Sequence, residues 1–132
     1  MAKIHKSDEQ WREELDELTF QVTRQSATEQ PFTGAYNDFY EAGQYYCVCC
    51  KNVLFTSSEK FASGCGWPSF ANAIDAAVNY KEDYSMRGIL RIEVRCSHCD
   101  AHLGHVFDDG PKESGKRYCI NSVALSFKKE GL

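Results

Sequence analysis

The chain is 132 residues long, with 42% apolar and 26% charged residues and a formal net charge of −4. That length fits one domain, residues 1–132, able to bury its own core, and the composition is globular rather than disordered. The negative balance argues against a phosphate backbone as partner, and no apolar run approaches the roughly 20 residues of a membrane helix, so neither nucleic acid nor membrane is expected. The opening "MAKIHKSDEQ" holds no apolar stretch of signal-peptide length, which makes the cytoplasm the expected location.

In chain order, Ser7 with Gln10 reads as a capping box, and Trp11, Leu15 and Leu18 recur on one face, giving a short N-terminal helix devoted to packing. From "QYYCVC" onward the pattern changes to short runs rich in Tyr, Val, Ile and Phe, parted by Gly, Asn, Asp and Pro clusters, as in a mainly β domain. The first run holds Cys47 and Cys50, a C-x-x-C knuckle. A second knuckle follows far downstream, Cys96 and Cys99 in "RCSHCD". In a reducing compartment clustered cysteines favour metal or catalysis over disulfide scaffolding, and two matched knuckles can meet as a closed four-thiolate zinc site, structural, one ion per chain. A thioredoxin-like redox pair is the alternative, but neither knuckle lies between a strand and a helix. Cys49 reads as a small buried hydrophobe and His98 as a solvent-facing turn residue.

Next comes "SGCGWPSF". Cys65 lies between two glycines, so its backbone is free and its thiol accessible, and Trp67, stiffened by Pro68, is either core or the wall of a small apolar pocket. "ANAIDAAVNYKEDYS" has room for a helical turn or two. "GILRIEVRC" alternates, with Ile92 and Val94 inward and Arg91, Glu93 and Arg95 outward. In "AHLGHVFDDGP" His102 and His105 stand three apart, with Gly104 between them permitting a bend that turns both toward one site. Asp109 orients a histidine or caps its turn.

The last strand, "GKRYCINSVALSF", places Arg117, Cys119 and Asn121 on one face, continued by Val123, Leu125 and Phe127. A face that is polar at its start and apolar beyond suits a site mouth seated on a core. Cys119 is then a thiol beside a cation. One charge at about 7 Å and an effective dielectric of 20 contributes about 2 kcal/mol, too little to guarantee a thiolate, so a second donor such as a histidine is expected. Cys65 suits the attack on an oxidised Cys119, releasing water and leaving a disulfide.

Together "GCGWPSF", "HLGHVFDDGP" and "RYCINS", framed by the paired knuckles, resemble the B-type methionine sulfoxide reductases, over about Leu18 to Phe127. The resemblance implies two antiparallel sheets with the zinc site on one side, Cys119 as the attacking residue and Cys65 as the recycling one. It places Trp67, His102, His105, Asp109, Arg117 and Asn121 around the substrate and names thioredoxin as electron donor. No long amphipathic surface suggests a partner subunit, and a monomer is expected. It implies repair of methionine-R-sulfoxide, free or in oxidised proteins. Lys51 departs from the family, standing where a glycine often follows the first knuckle, and "EDYSMRGILR" matches only approximately. A zinc-supported binding module explains the knuckles but leaves Cys65, Trp67 and the Arg117 face without a role. A peroxide reductase is a further alternative.

Overall fold

The computed structural model describes residues 4–130; residues 1–3 and 131–132, the ends of the expected span 1–132, lie outside the described residues. The N-terminal helical segment is two helices, α1 (Asp8–Glu14) and α2 (Glu17–Gln25). The Ser7–Gln10 capping box opens the first, with both reciprocal bonds formed. Asp16 then breaks the run: its side chain accepts the Thr19 amide at 2.8 Å and starts α2 in a new direction. The expected shared face is thereby lost. Trp11 is buried, clamped between the Lys6 ammonium and the Arg24 guanidinium, whereas Leu18, on the second helix, stays 46% exposed.

Nine strands follow among the described residues. β1 (Gly43–Cys47), β2 (Val53–Thr56) and β9 (Leu125–Lys129) form a three-stranded antiparallel sheet in the order β2-β1-β9. The larger sheet holds β3 (Lys60–Phe61), β4 (Ser69–Phe70), β5 (Val78–Asp83), β6 (Arg91–Cys96), β7 (His102–Phe107) and β8 (Arg117–Ile120), in the order β3-β4-β8-β7-β6-β5. All its pairings are antiparallel. The fold is therefore mainly β, two antiparallel sheets preceded by helices.

The two sheets share an aromatic core. Phe55 stacks on Phe70 with ring centroids 4.2 Å apart, and Tyr45 meets Phe70 edge-on at 5.0 Å and Phe127 at 5.1 Å. Leu54, Val94, Leu103 and Ile120 are fully buried around them.

Three expectations need correction. "ANAIDAAVNYKEDYS" contains no helix; Asp75–Ala76 is a turn, with Ala76 at φ +63°, leading directly into β5. The alternation of "GILRIEVRC" holds for buried Val94, but Glu93 is also buried, because His102 and Arg95 cover its carboxylate. The parity of the last segment runs only to Asn121, which lines one cavity with Arg117 and Cys119. A 3-10 turn at Ser122–Ala124 then carries the chain across to the other sheet, so Leu125 and Phe127 do not continue the Cys119 face.

Candidate active site and metal centre

Each knuckle is a tight turn at the end of a strand, Cys47 closing β1 and Cys96 closing β6. The Lys51 amide returns to the Cys47 carbonyl at 2.8 Å and the Asp100 amide to the Cys96 carbonyl at 2.9 Å. Both turns end on a left-handed residue, Lys51 at φ +68° and Asp100 at φ +62°. This accounts for the glycine expected at position 51: the turn needs positive φ, and lysine adopts it at a cost. The four Sγ atoms of Cys47, Cys50, Cys96 and Cys99 lie within 4.8 Å of one another, with Cys47–Cys99 at 3.6 Å and Cys50–Cys96 at 3.5 Å. A tetrahedron of metal–sulfur bonds near 2.3 Å has edges of about 3.8 Å, so this donor set fits a metal ion closely. The His98 amide reaches Cys96 Sγ at 3.4 Å and Arg24 Nη2 reaches Cys99 Sγ at 3.8 Å, both suited to stabilising thiolates. Cys49, half-buried against the core, stands outside the four-sulfur set, and so does His98.

The remaining two cysteines meet elsewhere, in a cavity of about 220 Å³. Cys119, on β8, lies across from Ser69 of β4 and His105 of β7. Cys65 is brought to it by the loop before β4: Gly64 at φ +79° and Gly66 at φ +98° flank it, backbone positions that favour glycine. The two Sγ atoms stand 3.5 Å apart. Trp67 forms one wall, its indole Nε1 donating to the Glu29 carbonyl at 3.0 Å. Phe107 forms another and carries the Arg117 guanidinium over its ring at 4.5 Å.

The electrostatics of the thiol pair are uneven. Burial pushes the Cys65 thiol up, but hydrogen bonds from Ser63, Ser69, the Trp67 backbone and Cys119 together outweigh it and bring it to about 7. Cys119 is pushed up to about 12, first by burial and then by the Cys65 charge; Arg117 opposes this without prevailing. The first ionisation of the pair therefore falls on Cys65, near neutral pH, whereas the sequence directs attention to a thiolate at Cys119. Arg117 is locked by Asp109 through Nε–Oδ1 at 2.9 Å and Nη2–Oδ2 at 3.1 Å, a bidentate pair that holds the Asp109 carboxyl below its ordinary value. Asp109 thus orients Arg117, and no histidine.

His102 and His105 do share a face, with ring centroids 5.6 Å apart, but no bend at Gly104 produces this. Arg95 pairs with His102 and Val94 with Gly104, so Leu103 is an extra residue, a β-bulge that puts side chains three apart on one side. Gly104 serves close approach instead: a Cβ there would run into the Cys119 carbonyl. Only His105 lines the cavity, its Nε2 at 2.7 Å from Asp83 Oδ2, which leaves Nδ1 to serve a ligand. His102 is buried behind it with Nδ1 at 2.7 Å from Glu93 Oε2, and burial pushes its pKa down toward the neutral ring. Asn121 touches the cavity but spends its amide on the fold, accepting from the Glu29 amide at 2.9 Å and donating to the Leu103 carbonyl at 3.0 Å.

Five residues of the site escape the sequence reading: Thr28, Arg91 and Phe107 on the cavity wall, Glu29 beneath Trp67, and Asp83 behind His105. Asp83 Oδ2 also accepts from Arg91 Nη2 at 3.1 Å, and its carboxyl is held down first by the Ser85 amide and then by His105. Its place in "YKEDYS" gives no local signal.

Adjacent thiols in an apolar-walled cavity, on a β scaffold closed by a four-sulfur centre, define a dithiol protein with a separate metal-holding site. Residues 15–129 match the SelR domain, and the chain belongs to that family. It is 53% identical over 127 residues to the Peptide methionine sulfoxide reductase MsrB of Hahella chejuensis, an alignment covering 96% of this chain and 91% of the relative. With the protein of the same name from Pseudomonas fluorescens the identity is 56% over 126 residues, covering 95% of each. Among solved structures, the Mis18 'Yippee-like' domain superposes with a TM-score of 0.56 at 17% identity, covering 70% of this chain and all of that one, a likeness of fold.

Proposed function

We propose that this chain, folded as one domain, reduces methionine-R-sulfoxide in oxidised proteins to methionine and is recycled by a thioredoxin-class dithiol. The observation that carries the reading is the 3.5 Å contact of Cys65 and Cys119 at the base of a cavity walled by Trp67 and Phe107. Nucleophilic attack needs the anion on Cys119, which the pair supplies by moving its shared proton from Cys119 to Cys65. The Cys119 sulfur then bonds to the sulfoxide sulfur while a proton reaches the departing oxygen. His105, oriented by Asp83, is the acid within the cavity. Arg117, fixed by Asp109, holds negative charge at the reacting centre.

The protonated oxygen then shifts from the substrate sulfur to Cys119 as the bond between the two sulfurs breaks, leaving a sulfenic acid on Cys119 and releasing methionine. The Cys65 thiol attacks that sulfenic sulfur, water leaves, and a Cys65–Cys119 disulfide remains. A disulfide needs sulfurs about 2.05 Å apart, so the glycine-flanked loop must close the gap. An external dithiol then takes up the oxidation. Across the cycle one sulfoxide and two thiols become one thioether, one disulfide and one water. Cys47, Cys50, Cys96 and Cys99 would hold a zinc ion that braces the scaffold, and with all four donors supplied by the chain it would take no part in the reaction.

Selectivity for one epimer follows from the walls. Exchanging methyl and oxygen on the chiral sulfur puts oxygen against the Trp67 indole and leaves polar partners unpaired, at a cost of several kcal/mol. The test is a chirally resolved assay with dithiothreitol. Only the R epimer should be consumed, Cys119→Ser should abolish turnover, and Cys65→Ser should keep one stoichiometric turnover while losing cycling with thioredoxin. Equal consumption of both epimers refutes the proposal. A non-catalytic binding module would consume neither.

A further inference from the structure

The hairpin between β5 and β6, residues 84–90, displays a cluster of apolar side chains at the edge of the larger sheet: Tyr84, Met86, Ile89 and Leu90 are all exposed. The sequence holds two methionines, Met1 and Met86, and Met86 is 45% exposed at this turn. Its thioether is presented by a defined local structure. The Ile89 amide donates to the Met86 carbonyl at 3.0 Å, Gly88 takes φ +75° with open space where a Cβ would stand, and the Ser85 amide donates to Asp83 Oδ1 at 2.9 Å. Nothing in the reductase cycle uses this methionine.

We propose that Met86 is an oxidation site of this chain and that its R-sulfoxide is repaired by a second copy, an inference that rests on the reductase function proposed above. A hydroperoxide gives one oxygen atom to the Met86 sulfur and leaves as the alcohol or water, converting thioether to sulfoxide. A second chain's Cys119 takes that oxygen as a sulfenic acid, Cys65 of the same second chain expels it as water, and an added dithiol reduces the resulting disulfide.

Repair runs between molecules because the turn is held by its own bonds. The hairpin joins β6 at Arg91, itself on the cavity wall and two strand spacings, about 10 Å, from the Cys119 strand, and joins β5 one spacing further out. Asp83 and His105 occupy the intervening surface in mutual contact. To fold back on its own thiol the turn would have to surrender its Ile89–Met86 and Ser85–Asp83 bonds. Offered to another copy, the same turn is a narrow apex with apolar flanks, suited to a cavity walled by Trp67 and Phe107.

The test uses full-length Cys119→Ser chain, labelled with 15N, treated with hydrogen peroxide and then with dithiothreitol to restore its thiols. A peptide methionine-R-sulfoxide is included as an internal reference, and catalytic unlabelled parent chain is added with dithiothreitol. Mass spectrometry of the labelled Met86 peptide should show a gain of one oxygen, then loss of about half of it, since an achiral oxidant makes both epimers and one is reduced. Parent chain oxidised in the same way serves as a second substrate should the variant fail to fold. The fraction of its Met86 sulfoxide repaired per unit time should fall tenfold on tenfold dilution. Reference reduced while the Met86 sulfoxide persists overturns the inference and spares the function. So does a Met86 that stays unoxidised at doses that oxidise a methionine peptide, or a repair rate indifferent to dilution. If the reference is not reduced either, the reductase reading fails and takes this inference with it.

Discussion

Replacing Cys65 with serine tests the shared-charge account of the thiol pair. The two sulfurs are 3.5 Å apart, and unit charges at that distance and an effective dielectric of 20 repel by about 5 kcal/mol, an upper bound of about 3.5 in pKa. Cys119 is raised to about 12 by burial first and by this charge second, so removing the charge should lower it by at least about 1 and at most about 3.5. Burial and Arg117 are untouched by the change. The assay is iodoacetamide alkylation across pH, read at the Cys119 peptide by mass spectrometry, so that Cys49 and the four-sulfur centre do not contribute. In the parent chain, alkylation at Cys65 should rise with a midpoint near 7, while that at Cys119 should still be climbing at pH 10. In Cys65→Ser the Cys119 midpoint should move to lower pH. A midpoint that does not move means that burial alone holds the proton on Cys119, and the idea of one anion passed between two sulfurs is wrong.

Other outcomes follow from the same geometry. Elemental analysis should find about one zinc per chain, and Cys96→Ala should lose the metal and several kcal/mol of stability, measured by denaturant unfolding. Lys51→Gly relieves a left-handed residue and should add about 0.5–1 kcal/mol, raising Tm by a few degrees. Asp109→Ala frees Arg117 from its bidentate partner, and kcat/KM for the R-sulfoxide should drop by about 2- to 5-fold, on the order of 0.5–1 kcal/mol for a solvent-screened pair. Burial depresses the His102 pKa in the folded chain, so the unfolded chain binds its proton first. Stability from this group is then complete above about 6.5 and lost as pH falls through that value, and thermal melts from pH 7 to 5.5 should show a fall in Tm that His102→Asn reduces.

Features written in spacing were legible in the sequence. Two C-x-x-C pairs specify their own convergence, the alternation Arg117–Cys119 survives as a shared strand face, and the glycines around Cys65 announce an unusual backbone. What stayed hidden depends on pairing across strands. Asp83 reaches His105 only because β5, β6 and β7 align in one register, and Glu93 is buried only because His102 and Arg95 close over it. The bulge at Leu103 belongs to two strands at once, so no reading of "HLGH" alone finds it. Asp16 carries a legible cap signal, but Trp11, Leu15 and Leu18 keep helical spacing across it, and the periodicity hides the break.

The knuckles have a chemical effect beyond bracing. A sulfenic acid on Cys119 has six other cysteines in its own chain as prospective partners, and only one of them leads back to active protein. An ion held by Cys47, Cys50, Cys96 and Cys99 would take those four sulfurs out of exchange, leaving Cys49 as the one off-pathway thiol. Most wrong crosslinks of the oxidised state would then be barred by coordination rather than by distance, and a molecule that works among oxidants would keep its wiring.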